Sequence, residues 1–269
     1  MQMKSLEVDG TRIAFREVGE GLPVLLLHAF PLSSEAFRPQ MEALGVRFRL
    51  IVPDFRGFGQ SGPATGRTEM SLLARDALAI LDSLRIRRAV VGGVSMGGYV
   101  AMALLREDAG RAAGLLLADT QAVADDEAGR ARREETAAAI AARGTQALVE
   151  TLLPRLVAED ALPAVRADVE AMVRKADPVG CTAAVRGMAI RQDSRDVLSR
   201  FAGPALVVVG QKDGLTPPAM ARELAALVQG STLREIPGAA HLPNLERPEA
   251  FNAAVEAWLS TIPAASLSG

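Results

Sequence analysis

Apolar and polar residues follow two patterns along most of this chain. Residues 4–9 and 12–18 alternate between the two types on either side of Asp9-Gly10-Thr11, which predicts an opening β-hairpin. Further along, short continuous apolar runs predict strands that are buried on both faces of a parallel sheet. These runs are Val24–Leu27, Arg49–Val52, Ala89–Val91, Gly114–Ala118, Ala205–Val209 and the weaker Thr232–Ile236.

Helical periodicity separates several of these runs. The stretches with a helical pattern are Ser71–Leu84, Gly97–Arg106, Pro217–Val228 and Pro248–Leu259. Strands that alternate with helices over short connections are typical of a doubly wound, mostly parallel α/β sheet. The sequence therefore predicts that fold class.

One long segment interrupts the alternation. Residues 120–200 contain no buried-strand pattern, are rich in Ala, Arg and Glu, and predict roughly four helices. Open α/β sheets bind their ligands at the carboxyl ends of the strands, and an insertion at that edge overhangs the binding site. We therefore expect residues 1–119 and 201–269 to form the α/β core and residues 120–200 to form a helical cap. The alternative is a helical subdomain that only stabilises the fold.

The length and the charge of the chain limit the classes of binding partner that we expect. The 269 residues are enough to bury one large core, and acidic and basic side chains nearly balance at a net charge of -2. Binding of nucleic acid requires a basic excess on one face, which this balance does not indicate. The longest apolar runs are strand-sized and too short to span a bilayer. We expect a small-molecule partner, no nucleic acid and no membrane, with the oligomeric state left open.

Two features bear on the cellular compartment. The amino-terminal sequence MQMKSLEVDG lacks the apolar stretch of a secretory signal. Cys181 is the single cysteine, so no disulfide can form within the chain. Both features favour a reducing compartment, and we predict a cytoplasmic location.

A candidate nucleophile lies in the pentapeptide Gly93-Val94-Ser95-Met96-Gly97, directly after an apolar strand and directly before a helical pattern. A G-x-S-x-G turn in that context projects the serine hydroxyl from the edge of the sheet. The glycines are needed because the turn is strained and packs too tightly for Cβ atoms. The alternative is a plain glycine-rich turn between a strand and a helix.

Two aspartates follow buried strands and are candidates for the acid that orients a catalytic base. Asp213 comes just after Ala205–Val209, although Asp213-Gly214 is also an ordinary turn dipeptide. Asp119 ends the strand Gly114–Ala118, from which a carboxylate could also reach a histidine. We favour Asp213 because it follows the next buried strand and precedes the candidate histidine.

The chain has only two histidines, His28 and His241, so a histidine-rich metal site is excluded and an imidazole base must be one of them. His241 lies beyond the Thr232–Ile236 strand. The order Ser95, Asp213, His241 at three strand ends predicts a Ser–His–Asp triad. His28 is expected to brace the loop in which it lies.

The loop His28-Ala29-Phe30-Pro31 is the expected source of one oxyanion donor. Hydrolysis through a tetrahedral intermediate needs two preorganised N–H groups. The backbone N–H of Met96 is the first candidate, and the backbone N–H of Phe30 is the second. Phe30, Met96 and Tyr99 are also the residues that we expect to contact the substrate.

The glycine-rich run Asp54-Phe55-Arg56-Gly57-Phe58-Gly59-Gln60-Ser61 could be mistaken for a phosphate loop. It lacks the Lys-Ser/Thr ending of a nucleotide site and the spacing of a dinucleotide site. We interpret it as part of the scaffold.

These motifs together resemble the α/β-hydrolase superfamily over nearly the whole chain. The resemblance is strongest to small carboxylesterases, 3-oxoadipate enol-lactonase-like hydrolases and cofactor-free haloperoxidase- or perhydrolase-like enzymes. It implies a Ser–His–Asp triad, no metal, no cofactor and a four-helix cap. Ser95 at the nucleophile position disfavours the relatives that use aspartate, the haloalkane dehalogenases and epoxide hydrolases.

One position departs from that branch, which commonly has glycine after the first histidine, where this chain has Ala29. If the position requires a positive φ, Ala29 would strain the oxyanion loop.

The expected function is hydrolysis of a carboxylic ester or lactone through an acyl-enzyme on Ser95. Residues 120–200 contain no aromatic side chain, which predicts a small aliphatic substrate. Two alternatives remain. The same triad could serve a perhydrolase, haloperoxidase or acyltransferase, or the fold could serve as a non-catalytic ligand receptor.

Overall fold

The structure of the protein, a computed structural model, describes residues 2–263. Within that range eight strands form one sheet. The strands are β1 (Gln2–Val8), β2 (Thr11–Val18), β3 (Pro23–Leu27), β4 (Arg49–Pro53), β5 (Ala89–Val94), β6 (Ala112–Ala118), β7 (Ala205–Gly210) and β8 (Thr232–Ile236). The strand order is β1-β2-β4-β3-β5-β6-β7-β8.

The sheet is parallel except at its β1 edge. β1 pairs antiparallel with β2, β2 pairs antiparallel with β4, and every later pair is parallel. Every residue of β3, β5, β6 and β7 is buried, as expected for strands covered on both faces. The predicted fold class and the opening hairpin are confirmed.

β5 extends to Val94, beyond the predicted end at Val91. The extension contains Gly92 and Gly93, which the apolar pattern could not identify as strand residues. A Cβ atom on Gly92 would lie 3.1 Å from side-chain atoms of Leu116 and Leu26 on the neighbouring strands. Glycine therefore fits here because the sheet is tightly packed.

Helices flank the sheet and fill the segment between β6 and β7. They are α1 (Arg38–Leu44), α2 (Met70–Ser83), α3 (Met96–Asp108), α4 (Glu127–Arg143), α5 (Gln146–Thr151), α6 (Leu153–Leu156), α7 (Pro163–Lys175), α8 (Pro178–Ala189), α9 (Arg195–Ser199), α10 (Pro218–Leu227), α11 (Pro243–Glu246) and α12 (Pro248–Leu259). The four helices predicted from periodicity correspond to α2, α3, α10 and α12, with ends that differ by at most two residues.

The segment between β6 and β7 contains six helices, α4 to α9, where the sequence predicted roughly four. The difference has a local cause. α5 ends at Thr151, and Pro154, which lacks an N–H and cannot continue it, lies in the first turn of a separate short helix, α6. Pro163 and Pro178 each begin a helix, at the position where proline is best tolerated. The short helix α9 packs against α3 and α10 beside the sheet.

The glycine-rich run 54–61 holds the loops beneath the site together. The carboxylate of Asp54 accepts the N–H groups of Ser34 at 2.7 Å and Gln60 at 2.8 Å. Arg56 forms a buried two-point ion pair with Asp76, with Nε 2.7 Å from Oδ2. These contacts agree with the scaffold role inferred from the sequence. No helix between residues 2 and 263 is long and apolar enough to cross a membrane.

Candidate active site

Ser95 occupies a strained turn between β5 and α3. Its backbone has φ 55° and ψ −114°, outside the regions that side chains prefer. The turn is held by its neighbours, since Thr120 Oγ1 donates to the carbonyl oxygen of Ser95 at 2.9 Å. A Cβ atom on Gly97 would lie 1.9 Å from the carbonyl oxygen of Leu27, and one on Gly93 would lie 2.1 Å from that of Gly97. Both glycines are therefore required by close backbone packing.

Three side chains form a continuous hydrogen-bonded chain at the carboxyl edge of the sheet. His241 Nε2 lies 2.8 Å from Ser95 Oγ, and His241 Nδ1 lies 2.8 Å from Asp213 Oδ2. Both His241 and Asp213 are buried. The structure thus brings together the three residues that the sequence selected from separate strand ends.

Asp213 is held by several donors. Its Oδ1 accepts the backbone N–H groups of Leu215 at 2.7 Å and Thr216 at 3.2 Å, and its Oδ2 accepts the Thr216 hydroxyl at 2.6 Å. Burial acts to raise the pKa of Asp213, but the hydrogen bonds from His241, Thr216 and Leu215 outweigh it and hold the pKa well below its usual range. Asp213 is therefore an ionised partner for the imidazole.

Asp119 lies beside the hydrogen-bonded Ser95, His241 and Asp213 side chains but is not hydrogen-bonded to the imidazole of His241. Its Oδ1 accepts the backbone N–H of Gly210 at 2.8 Å. Burial and the neighbouring Asp213 raise the pKa of Asp119 well above its usual value. The carboxylate that contacts His241 is that of Asp213, in agreement with the order of preference drawn from the sequence.

Of the two predicted oxyanion donors, Met96 directly follows Ser95 in the sequence, and Phe30 lines the same pocket as Ser95. Met96 is the first residue of α3, and among residues 2–263 its N–H has no acceptor; the N–H of Phe30 is likewise free there. Ala29 is not among the described residues with positive φ, so the alanine at this position does not strain the loop. The departure from the glycine common in related sequences is accommodated by an ordinary backbone conformation.

His28 is fully buried beneath the oxyanion loop. Its Nε2 accepts the N–H of Phe55 at 3.1 Å, and its Nδ1 lies 2.9 Å from the carbonyl oxygen of Ala29. The ring also packs against Phe55 at a centroid distance of 4.4 Å. Burial lowers the pKa of His28, which favours the neutral ring. The contacts agree with the bracing role expected for it.

A pocket of about 120 Å³ opens beside Ser95 and His241. Its other lining residues are mostly apolar, with three polar members: Phe30, Tyr99, Gln121, Arg133, Leu152, Leu156, Met188, Leu215 and Thr216. Phe30 and Tyr99 both line the pocket, and their contact with a substrate stays a prediction. The side chain of Met96 is fully buried and does not line the pocket, so Met96 can meet a substrate there only through its N–H.

Sequence reasoning missed Arg133 and Gln121, the longest polar side chains in the pocket. Arg133 Nε lies 2.9 Å from Asp125 Oδ2, and its Nη1 lies 3.6 Å from the sulfur of Met188. Arg191 Nη1 shares the same carboxylate, at 2.8 Å from Asp125 Oδ1, while its guanidinium stacks 4.2 Å from the ring of Tyr99. Residues 120–200 contain many arginines, and no local pattern distinguishes the one that faces the pocket.

Asp119, Asp213 and His241 are also the one group within residues 2–263 whose donor atoms are close enough to hold a metal ion. We assign none of them as a metal ligand, because both nitrogens of His241 are engaged in the hydrogen-bonded chain. The sequence expectation of no metal and no cofactor stays a prediction.

This fold has counterparts among known proteins. The sequence model of the alpha/beta hydrolase fold matches residues 23–248. A thermophilic esterase from Thermogutta terrifontis, in a structure with malate bound, is 38% identical; the match covers 97% of this chain and 99% of that one, with a TM-score of 0.94. The enol-lactonase from Burkholderia xenovorans is 30% identical over 96% of this chain and 100% of its own, with a TM-score of 0.89. The (E)-2-((N-methylformamido)methylene)succinate hydrolase of Acinetobacter baylyi is 27% identical over 98% of this chain and 100% of its own.

The chain therefore belongs to the α/β-hydrolase family. The prediction of an enzyme of the esterase and lactonase type is confirmed by these relationships. In general terms they support hydrolysis of esters or lactones.

Proposed function

We propose that the protein hydrolyses small carboxylic esters or lactones through an acyl-enzyme on Ser95. The observation that carries this proposal is the hydrogen-bonded chain from Ser95 Oγ through His241 to Asp213, with 2.8 Å at each step. A nucleophile, a base within hydrogen-bonding reach of it and a carboxylate that orients the base are the parts that acyl transfer needs.

The reaction runs in two halves. Ser95 Oγ attacks the carbonyl carbon while His241 Nε2 accepts the hydroxyl proton, and Asp213 stabilises the resulting imidazolium. The N–H groups of Phe30 and Met96 stabilise the negative charge on the carbonyl oxygen. Collapse breaks the ester bond, and the alcohol leaves with the proton from His241. Water then attacks the acyl group with His241 as base, which releases the acid and restores the Ser95 hydroxyl.

The size of the pocket supports a short acyl group. An apolar cavity of about 150 Å³ is filled by one benzene molecule, and this pocket measures about 120 Å³. Leucine and methionine side chains supply four of the lining residues beside Phe30 and Tyr99, and their flexibility suits aliphatic chains. The pocket therefore favours aliphatic acyl groups smaller than a benzene ring.

Arg133 supports a further property of the substrate, a carboxylate group. Two guanidinium groups, those of Arg133 and Arg191, share the single carboxylate of Asp125. Burial acts to raise the pKa of Asp125, but the two arginines outweigh it and lower that pKa, so the carboxylate is ionised and the trio keeps one net positive charge. Arg133 lines the pocket, and its hydrogen bonds to Asp125 and Met188 leave guanidinium N–H groups for a further acceptor. A substrate carboxylate would supply the missing partner.

Two of the similar proteins bind or hydrolyse compounds that have carboxylate groups. The Thermogutta terrifontis esterase was found with malate, and the Acinetobacter baylyi enzyme hydrolyses a substituted succinate. Malate and succinate both have two carboxylates. Their chemistry supports an ester or lactone that keeps one free carboxylate next to the bond that breaks.

We also propose that residues 120–200 serve as a cap. Arg133, Leu152, Leu156 and Met188 all come from that segment and line the pocket with Ser95. A segment that only stabilised the fold would not need to supply so much of the pocket wall. The cytoplasmic location inferred from the sequence stays a proposal as well, to be checked by cell fractionation.

The nucleophile is tested by labelling with a fluorophosphonate followed by peptide mass spectrometry. The adduct is expected on Ser95, and Ser95→Ala should lose both the adduct and ester hydrolysis, by up to about a millionfold. Ser199→Ala is a matched control on an exposed serine and should keep both. An adduct on Ser34 or Ser61 would overturn the assignment, and a protein that is neither labelled nor active would be a ligand receptor.

The carboxylate subsite is tested with a pair of methyl esters of similar length, monomethyl succinate and methyl valerate. Arg133→Gln should lower kcat/KM for the charged ester by about ten- to a hundredfold and leave the neutral ester nearly unchanged. Arg132→Gln removes the same charge from an exposed position on the same helix and is the matched control. Equal losses on both esters would show that Arg133 only stabilises the pocket.

The fate of the acyl group is tested in the same assay. Hydrogen peroxide or an alcohol is added as a competing acceptor, and the products are quantified from a labelled acyl group. Formation of the free acid as the main product supports hydrolysis. Preferential formation of the peracid or of a new ester would instead identify a perhydrolase or an acyltransferase.

A further inference from the structure

Asp119 is a buried carboxyl group that the proposed mechanism leaves without a role. It follows β6 directly and has φ 46°, a left-handed conformation that residues other than glycine, asparagine and aspartate seldom adopt. Its N–H donates to the carbonyl oxygen of Val208 at 3.0 Å, and its Oδ1 accepts the N–H of Gly210 at 2.8 Å. The residue is thus tied to β7, immediately before the loop that carries Asp213.

The second oxygen of Asp119 has no donor within residues 2–263. Oδ2 is fully buried and lacks any hydrogen-bond partner there. One oxygen from each aspartate and one nitrogen of His241 all lie within 4.8 Å of one another. A buried carboxyl group close to an ionised carboxylate, with one oxygen that receives no donor, is stabilised by carrying a proton.

Among the titratable groups around Asp119 in the described part of the chain, none is available to stabilise a negative charge on its carboxyl group. The titratable groups that face it are Asp213 after β7, Glu246 in α11 and His241 after β8. Two of these are acids, and the Nδ1 of His241 is engaged with Asp213. Two adjacent buried carboxyl groups share one proton rather than ionise together.

The shared proton lies on Asp119 because Asp213 accepts more hydrogen bonds, and these stabilise its ionised form. Asp213 accepts from His241, from two backbone N–H groups and from the Thr216 hydroxyl, whereas Asp119 accepts, among the described residues, only from Gly210. The pKa directions agree, since burial and the charge of Asp213 raise the pKa of Asp119 while the pKa of Asp213 is lowered.

We propose that Asp119 is a positioning residue that acts as a neutral carboxylic acid and donates its O–H to the carboxylate of Asp213. The hydrogen bond holds Asp213 in line with His241 and withdraws part of its negative charge. The role rests on the proposed function, in which Asp213 orients the base.

The charge that Asp119 withdraws determines how strongly Asp213 stabilises the imidazolium. Without the O–H donor, Asp213 would bear more negative charge and would keep His241 protonated to higher pH. A protonated His241 cannot accept the Ser95 proton, so activity would begin at higher pH. His28 does not confuse this measurement, because burial lowers its pKa and the ring is neutral.

Three variants separate the O–H donor from the shape of the side chain. Asp119→Asn keeps an N–H donor toward Asp213 and an acceptor for Gly210, and asparagine tolerates the left-handed backbone. Asp119→Leu removes the donor at similar volume. Asp119→Gly also removes it and relieves the backbone, which covers the case in which leucine prevents folding.

The pH profile of kcat/KM is the first measurement. Asp119→Leu and Asp119→Gly should lose about tenfold in kcat and move the acidic limb up by about one pH unit. Asp119→Asn should restore kcat to within about threefold of the wild type, with the limb near its original position. An acidic limb that does not move in the variants without a donor would overturn the proposal, as would an Asp119→Asn enzyme as impaired as Asp119→Leu.

The second measurement requires no activity and reports the proton directly. A carboxyl group that keeps its proton in the folded state and loses it on unfolding makes folding less favourable as the pH rises above the ordinary carboxyl pKa, about 3.9. The amide introduced by Asp119→Asn carries no such proton, so the melting temperature of this variant minus that of the wild type should increase between about pH 5 and about pH 8. An infrared carbonyl band of a protonated acid, present in the wild type and missing from Asp119→Asn, should accompany it.

These two measurements distinguish the failure of this inference from the failure of the proposed function. If Ser95 is not the nucleophile, the labelling experiment fails while the melting and infrared results still report the proton on Asp119. A melting difference that is constant with pH, or no acid band, would show that Asp119 is ionised and would overturn the inference even in an active enzyme.

Discussion

Glu246 and Ala158, 88 residues apart in the chain, are joined by a hydrogen bond of 2.7 Å from the Ala158 N–H to the Glu246 carboxylate. The other oxygen of the same carboxylate accepts the N–H of Ala240 at 2.9 Å, directly before His241. Glu246 is buried, so one carboxylate connects the segment between β6 and β7 to the loop that carries the histidine. The position of His241 therefore depends on an acid that lies outside the hydrogen-bonded chain itself.

Glu246→Gln should weaken this connection at nearly constant volume. The carboxylate accepts from Ala158 through one oxygen and from Ala240 and Leu242 through the other, whereas the amide has a single oxygen. A buried unsatisfied N–H costs about 1–3 kcal/mol. We expect a loss of that size in the free energy of unfolding, measured by denaturant titration, and a fall in kcat as His241 becomes less well held. Glu249→Gln, on the exposed face of α12, is the matched control. A stability equal to that of Glu249→Gln would show that the connection contributes nothing.

Asp213→Asn should lower kcat by about ten-thousand-fold, because the amide favours the wrong tautomer of the imidazole. The fold should survive, since the backbone N–H groups of Leu215 and Thr216 keep an oxygen acceptor. Steady-state kinetics with a short aliphatic ester measure the loss. Asp119→Asn, measured in parallel, should be far less impaired. The reverse ranking of the two variants would make Asp119 the orienting acid.

His28→Ala should lower the stability of the fold and leave ester hydrolysis intact. The ring makes two buried hydrogen bonds and packs against Phe55, and its loss should lower the free energy of unfolding by about 2–4 kcal/mol. Because the pKa of folded His28 is lowered by burial, its contribution is present above the unfolded imidazole pKa of about 6.5 and is lost as the pH falls below it.

Thermal melts at several pH values check this prediction. The wild type should lose stability on acidification, and His28→Ala should lose less over the same range. Folded His28→Ala should keep ester hydrolysis, whereas His241→Ala should lose it. A folded but inactive His28→Ala beside an active His241→Ala would show that the two roles are exchanged.

Tyr99 should limit the length of the acyl group. It lines the 120 Å³ pocket beside Ser95 and a second cavity of about 110 Å³, and only Gln121 among the described lining residues is shared as well. Tyr99→Ala should join the two spaces and shift the best p-nitrophenyl ester toward longer chains, by roughly 0.8 kcal/mol for each additional buried methylene.

Met102 provides the matched control for this prediction, because it lines only the second cavity. Met102→Ala enlarges that cavity without opening the wall, so the preferred chain length should stay as in the wild type. If Tyr99→Ala also keeps the original preference, the second cavity is not accessible to the acyl chain. A wild type that prefers benzoate or phenylacetate esters would contradict the aliphatic pocket.

Much of the fold could be predicted from the sequence because local patterns report burial and turn geometry. Continuous apolar runs identify strands covered on both faces, and the glycines around Ser95 mark a turn that no Cβ atom fits. The order of Ser95, Asp213 and His241 follows from the same logic, since each comes at the carboxyl end of a strand and those ends meet at one edge of a parallel sheet.

The partners of individual side chains, in contrast, were decided only by the tertiary structure. Asp213 and Asp119 both follow buried strands, and the choice between them depends on which carboxyl group the packing turns toward His241. Arg133 is one of many arginines in its segment, and only the fold places it in the pocket. Met96 directly follows the nucleophile, yet its side chain is buried and does not line that pocket. Local sequence determines where the backbone is buried or turns, whereas the direction of a side chain and the charge it meets depend on residues far away in the chain.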